Sequence, residues 1–423
     1  MSSQPTIKRG NDMRSTFAIA ALFTVSALPA QENPFAARTR PFMNPAASRI
    51  IFKGDSSAWE AYHGKLDRLF FDGTGQVSIV HVGGSHVQAD MWSMELRHRF
   101  QSAAPGVRAG RGFIFPFNLA KSNNPWWYVP EATGRWTGLR NVVRTDSSAL
   151  GMAGISVTTR DTAATLKVSF RGDIYPGYTF DRVRVLHQMD SSYEVSAWDP
   201  DPDVRIERRV DAAGGFTEFI YDRHLDTLRL RIARTDTNQR KFTLGGIILG
   251  SGDPGFFLHS LGVNGSSTTS WLRCQRFSEE LAMLGPDLVI LSIGINDAHD
   301  PDFSAARYEA NYLELIRRVR TASPGAAILL TTNTDSYMKR RYVNKNAEAV
   351  RDAMLRLSAS EGVGVWDTYG VMGGHGSIRA WEKAGLAKRD RVHLNREGYS
   401  LLGDLLFGAL MEKYGEHIRI SSK

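Results

Sequence analysis

An interruption constrains this chain more than any other feature. Residues 76–80, Gln-Val-Ser-Ile-Val, form a β-branched apolar run. The chain continues through His81-Val82-Gly83-Gly84-Ser85-His86-Val87-Gln88-Ala89-Asp90 into a segment, 91–100, that reads as a helix. Strand–helix alternation of this kind resumes only after Gly252. Strands are expected there at 256–261, 288–293, 326–332 and 364–366, and helices at 271–284, 307–322, 347–360 and 396–414. Between these parts lie short runs of alternating polarity at 155–158, 165–170, 182–186, 193–198, 216–221, 228–232 and 242–249, separated by Gly, Asp and Asn turns. No helical period is present between 141 and 250. The pattern predicts an α/β domain with a parallel sheet and right-handed crossovers, cut after its first strand–helix unit by an all-β sandwich. The expected boundaries are 49–122 for the first α/β part, 123–252 for the β insertion and 253–423 for the second part. An amphipathic helix is expected at 58–71, with Trp59, Tyr62, Leu66, Leu69 and Phe70 on one side, and a Gly- and Arg-rich loop at 104–111.

The N-terminus predicts export. Lys8, Arg9 and Arg14 precede an apolar run over 17–29, with Ala27 and Ala30 as cleavage points and polar Gln31-Glu32-Asn33 beyond. Residues 1–30 therefore read as a signal peptide and 31–48 as a loose tail, which places the mature chain outside the cytoplasm or in a bacterial periplasm. An uncleaved leader would tether it; no later run is long and apolar enough to span a bilayer. Cys274 is the single cysteine, so neither an intrachain disulfide nor a cysteine metal cluster is possible. The net charge of +8 is dispersed and accompanies no nucleic-acid recognition motif, so no nucleic-acid partner is expected. A mildly basic surface does suit an anionic polymer such as cell wall. No His, Asp or Glu spacing demands a metal, no cofactor is expected, and the oligomeric state is not encoded in any visible pattern.

Four motifs fall where an open α/β sheet binds ligands, at or near the carboxyl ends of its strands. They are Gly83-Gly84-Ser85, Leu261-Gly262-Val263-Asn264-Gly265-Ser266, Gly294-Ile295-Asn296-Asp297, and Asp390-Arg391-Val392-His393-Leu394-Asn395 before the last helix. Their residue types suit acyl transfer. Ser85 is the nucleophile and His393 the base and then the acid. Asp390, three residues before His393, holds the imidazole tautomer. An oxyanion needs two or three donors, which the N–H groups of Ser85 and Gly265 and the amide of Asn296 can supply.

These blocks, in this order, resemble the SGNH/GDSL hydrolase superfamily, whose blocks centre on Ser, Gly, Asn and His, here Ser85, Gly265, Asn296 and His393. The Asp-x-x-His spacing matches Asp390 and His393. The resemblance covers about 76–100 and 256–410. It implies a flavodoxin-like three-layer parallel sheet, here interrupted by a jelly-roll-like β-sandwich, and a serine esterase without cofactor. The first block departs from the usual Gly-Asp-Ser, because Gly84 stands in the Asp position. The α/β-hydrolase elbow Gly-x-Ser-x-Gly fits less well, since Val87 occupies its last Gly. A β insertion after the Ser block, followed by Leu-Gly-Val-Asn-Gly, is similar to the periplasmic peptidoglycan O-acetylesterases. That similarity implies an O-acetylated glycan substrate, deacetylated at O-6 of muramoyl residues. A lipase, thioesterase or lysophospholipase of the same superfamily, and a non-catalytic glycan-binding protein, are the alternatives.

The remaining polar residues read as structural. His86 packs or hydrogen-bonds the turn, Asp297 accepts hydrogen bonds in its loop, His81 faces the core, and His299 has no assigned place. Asp199-Pro200-Asp201-Pro202-Asp203 is a stiffened turn rather than a calcium loop, because Val204 replaces the glycine such a loop requires. Trp126, Trp127 and Trp136 read as core aromatics before sugar platforms, and Cys274 as buried.

Overall fold

Val77, Ile79, Val80 and Val82 are fully buried, as are the successive apolar residues Leu288, Val289, Ile290 and Leu291. Strands apolar on both faces must be covered on both faces, which is the condition of a parallel sheet between helices. The computed structural model describes residues 39–421 apart from 55, 145–149, 173–177, 190–191 and 239, and it contains that sheet. Its neighbours run Gly364–Trp366, Ala327–Thr331, Leu288–Ser292, Gln76–Gly83 and Gly255–Gly262, all parallel. Numbered along the chain, that is the flavodoxin-like order 2-1-3-4-5. The order reverses between Gln76–Gly83 and Leu288–Ser292, so the crevice for a ligand opens beyond Gly83 and Ser292.

The helices Ser57–Phe71, Met91–Gln101 and Arg396–Ser421 pack together, and so do Phe277–Ala282, Ala305–Ala322 and Asn346–Glu361. No helix among the described residues is long and apolar enough to cross a membrane. Residues 108–110, expected in a loop, form an edge strand Arg108–Gly110 paired with Gly255–Phe257. Arg-Ala-Gly carries no alternation to announce it; pairing with an existing strand creates it. The expected helix at 271–284 is two, Thr268–Leu272 and Phe277–Ala282. At the break the Arg276 N–H donates to Leu150 O at 3.0 Å, a tertiary bond in place of a helical one.

The insertion folds as two antiparallel sheets. One orders Tyr193–Ala197, Thr227–Arg234, Ala163–Phe170 and Tyr128–Ala132. The other orders Ile206–Asp211, Phe216–Leu225, Phe180–His187, Phe242–Gly250, Ile155–Thr159 and Trp136–Arg140. Alternation sends Leu166 and Val168 inward, into one apolar cluster with Val183, Val185, Phe219, Leu244 and Ile247. Gly112–Ile114, ahead of the expected start at 123, also pairs with Phe242–Gly250. The signal-peptide reading lies outside the described residues. Of the segment read as a tail, Met43 is buried, Phe42 packs edge-on to Trp381, and Ser48 donates to Leu405 O at 3.1 Å, so this part is anchored.

Candidate active site

The first core strand reaches its tip through residues that cannot be larger. A Cβ on Gly83 would lie 2.4 Å from Val87 Cγ2 and 2.8 Å from Ser292 O. One on Gly262 would lie 2.1 Å from Gln88 N. Three strand ends are thereby drawn close around Ser85. Ser85 opens a single turn, Ser85–Gln88, before Met91–Gln101 begins. The direct strand–helix junction expected from sequence is thus replaced by a kink at Asp90, whose φ is +55°. That left-handed residue is fastened by its own carboxylate, fully buried against Arg111 and, at 3.1 Å, Arg97. Burial raises its pKa, but the two guanidiniums outweigh burial and leave it below the ordinary value.

Asp390, Ser85 and His393 form one hydrogen-bonded chain. Ser85 Oγ lies 2.9 Å from His393 Nε2, and His393 Nδ1 lies 3.0 Å from Asp390 Oδ2. The other Asp390 oxygen accepts the N–H groups of Val392 at 2.9 Å and His393 at 3.0 Å. Burial pushes the Asp390 carboxyl up, yet these hydrogen bonds and the facing imidazole bring it below its usual pKa, so it is a carboxylate. Between them Arg391 sits at φ +56°, a costly conformation for a residue with a Cβ. Its side chain holds the loop: Nε donates to Glu382 at 2.7 Å, Nη1 to Arg340 O at 3.0 Å, and the guanidinium lies over Tyr337. Sequence reasoning assigned Arg391 no role, because its partners come from two other segments, Glu382 from one and Tyr337 and Arg340 from the other.

Gly265 and Asn296 meet Ser85 and His393 in a cavity of about 670 Å³. Gly265 adopts φ +82°, which favours glycine. Asn296 Nδ2 donates one hydrogen to Ser266 O at 2.8 Å. An amide nitrogen carries two, so one donor remains for a ligand. Asp297 accepts from Thr268 N at 3.1 Å and Thr268 Oγ1 at 2.6 Å, so it ties the two loops together, the structural part expected of it. Burial raises its pKa. Beneath Asn296, Tyr308 and Tyr312 donate to Ile293 O at 2.8 and 2.6 Å, fixing the end of the third core strand. Gly84 has φ −92°, open to any residue, but a Cβ there would stand 3.2 Å from Asn296 Nδ2. The departure from Gly-Asp-Ser thus leaves room beside the amide.

The same cavity is lined by Gln88, Asn123, Asn124, Trp126, Lys388 and Arg396, beside Ala89, Met91, Leu394 and Tyr399. Trp127 is buried and donates to Asp90 O at 3.1 Å, as a core aromatic should. Trp126 does not follow that reading: it is 36% exposed, lines the cavity, and has the guanidiniums of Arg171 and Arg396 against its ring. His86 does more than fill the turn. Its ring stacks on His393, with centroids 5.2 Å apart, and meets the edge of Tyr399. Burial, reinforced by His393, lowers its pKa to about 3 and keeps it neutral. His81 is buried and bonds Ser93 Oγ at 3.0 Å and Ser292 Oγ at 2.7 Å. His299 bonds Ser336 Oγ at 3.0 Å. Cys274 is buried, and burial pushes its thiol up to about 12, too high for a reactive thiolate.

Residues 249–401 match the model of the GDSL-like lipase/acylhydrolase family. The match contains Gly265, Asn296, Asp390 and His393; Ser85 joins them through the fold. A solved peptidoglycan O-acetylesterase superposes with a TM-score of 0.68 at 21% identity, covering 87% of this chain and 99% of that one. The two share a fold. Smaller overlaps are found with a lipase/acylhydrolase from Enterococcus faecalis (TM-score 0.31, 21% identity, 38% of this chain and 77% of that one). An acetyl xylan esterase from Geobacillus stearothermophilus overlaps similarly (TM-score 0.31, 19% identity, 37% and 73%). No curated protein matches the chain.

Proposed function

For a carboxylic ester hydrolase whose residues 249–401 match the GDSL-like lipase/acylhydrolase model, we propose the removal of O-acetyl groups from a cell-wall glycan by a serine mechanism. The observation that carries this reading is the Asp390–His393–Ser85 hydrogen-bond chain opening onto a wide cavity lined by amides and cations. Ser85 Oγ attacks the acetyl carbonyl while His393 Nε2 takes its proton. Asp390 holds Nδ1–H, so that Nε2 is the free acceptor, and offsets the imidazolium. The oxyanion is met by the Ser85 and Gly265 N–H groups and the free amide hydrogen of Asn296. His393 returns the proton to the departing sugar oxygen, then removes one from water, which releases acetate and restores Ser85.

The lining supports a polar substrate. Asn123, Asn124, Asn264, Gln88, Lys388 and Arg396 offer the donors and acceptors a glycan can use, beside the apolar surfaces of Ala89, Met91, Leu394, Trp126 and Tyr399. A likeness in fold to a peptidoglycan O-acetylesterase supports peptidoglycan as the glycan. The basic-then-apolar pattern at 1–30, read as a signal peptide, supports a site of action outside the cytoplasm. The test is acetate release from O-acetylated peptidoglycan beside a base-deacetylated control, with wild type and Ser85→Ala. Release by wild type alone, from the acetylated polymer alone, is expected. Undiminished turnover by Ser85→Ala, or a steep preference for long-chain esters, overturns the proposal.

A further inference from the structure

Ser57–Phe71 and Arg396–Ser421 meet through rings and carboxylates that share no residue with the Ser85 cavity. His63 is 1% exposed, and neither of its ring nitrogens has a hydrogen-bond partner. A buried imidazole with two unanswered nitrogens calls for an explanation. Its neighbours are ligand types. Glu60, one turn earlier on the same helical face, places Oε2 2.9 Å from His417 Nδ1. The donor atoms of Glu60, His63 and His417 all lie within 4.8 Å of one another. The rings of His63 and His417 are 5.0 Å apart at 44°. Two imidazoles on one tetrahedral zinc, with Zn–N of about 2.0 Å, put their ring centres about 5 Å apart.

We infer that Glu60, His63 and His417 form a binding site for a divalent transition metal, zinc by its two-imidazole, one-carboxylate donor set, with a fourth position left for water. Donors around such an ion stand about 3.3 Å apart, so the 2.9 Å hydrogen bond between His417 Nδ1 and Glu60 opens as the ion takes the place of its proton. The second layer is present. Asp67 Oδ2 lies 3.0 Å from His417 Nε2, and its other oxygen accepts the Tyr414 hydroxyl at 2.6 Å. That carboxylate fixes the tautomer presenting Nδ1 to the metal and orients the ring. Lys413, on the same helix, is paired with Glu416 at 2.9 Å. The site joins the helix entering the core sheet to the closing helix, which starts one residue after the Asp390–Asn395 loop; its role is to brace that helix.

The test titrates metal-free protein, bearing no histidine tag, with zinc chloride by calorimetry and follows its melting temperature. One zinc per chain and a rise of several degrees at about 100 times the dissociation constant are expected. Glu60→Gln, an exposed change that leaves folding intact, weakens binding about tenfold or more. His63→Leu abolishes the zinc-dependent rise without lowering the metal-free melting temperature. Labelling of Ser85 by a fluorophosphonate persists in every variant, which keeps this result separate from the esterase reading. Absence of stoichiometric binding, or binding that survives both substitutions, overturns the assignment.

Discussion

Asp390→Asn tests the site most sharply, because the structure dictates which way the new amide faces. One carboxylate oxygen of Asp390 accepts two backbone N–H groups, from Val392 and His393, while the other faces His393 Nδ1. An asparagine that keeps its oxygen on the two N–H groups turns its NH₂ toward Nδ1. The imidazole then accepts at Nδ1 and carries its proton on Nε2, where it cannot take the Ser85 proton. The flipped amide restores the bond to Nδ1 but sets its NH₂ against two donors in a loop that already holds Arg391 at φ +56°. That arrangement gives up two hydrogen bonds and is the costlier one. The wrong tautomer therefore dominates, and kcat falls by about 10⁴, or about 5.5 kcal/mol of transition-state stabilisation. Steady-state hydrolysis of p-nitrophenyl acetate reads it, with circular dichroism to verify folding and KM expected within a few-fold of wild type. A folded variant retaining more than a tenth of wild-type kcat refutes the orienting role of Asp390.

Asn296→Ala removes one oxyanion donor and lowers kcat on the same ester by about 10²–10³ with little change in KM; an unaltered kcat excludes Asn296 from the oxyanion site. Gly84→Asp, which introduces the Asp of the Gly-Asp-Ser pattern that the first block resembles, brings a Cβ within 3.2 Å of that amide, and kcat is expected to drop rather than rise. Asp90→Asn keeps a residue tolerant of φ +55° but leaves Arg97 and Arg111 buried without a counter-charge. Urea unfolding should show a loss of about 3 kcal/mol or more, and a wild-type midpoint contradicts the structural part given to the Asp90–Arg97–Arg111 cluster. His81, His86 and His259 are buried and neutral, with pKa values lowered by burial to about 3. Their folded pKa lies below the unfolded value of about 6.5, so the unfolded chain binds more protons between the two. Stability is complete above about pH 6.5 and falls as pH drops toward 3, by on the order of 2 kcal/mol per histidine at pH 5. Urea midpoints at pH 7.5 and pH 5 check this; equal midpoints refute it.

Strong periodicity made the core legible. The runs at 76–80, 288–293 and 326–332 are apolar enough to demand burial on both faces, and each is a central strand. Spacing made Asp390 and His393 legible, because three residues suffice to place the carboxylate on the imidazole. Weaker local signals misled. Arg108–Gly110 is a strand because Gly255–Phe257 recruits it, and the segment at 271–284 breaks because Leu150 O binds the Arg276 N–H. Trp126 and Trp127 are adjacent and chemically alike, yet one lines the cavity and the other is core. No sequence period distinguishes them.

The sequence by itself determined which chemistry is available and which segments must be buried, since the residues proposed as nucleophile, base, orienting acid and oxyanion donors are residue types at the ends of apolar runs. Only the tertiary structure decided that these groups meet. Ser85 and His393 are brought to 2.9 Å by the reversal of strand order beside Gln76–Gly83 and by Arg391, held through Glu382, Arg340 and Tyr337. The physical reason is that burial and periodicity act within a few residues of a position, whereas the distance between two loops is set by everything packed between them.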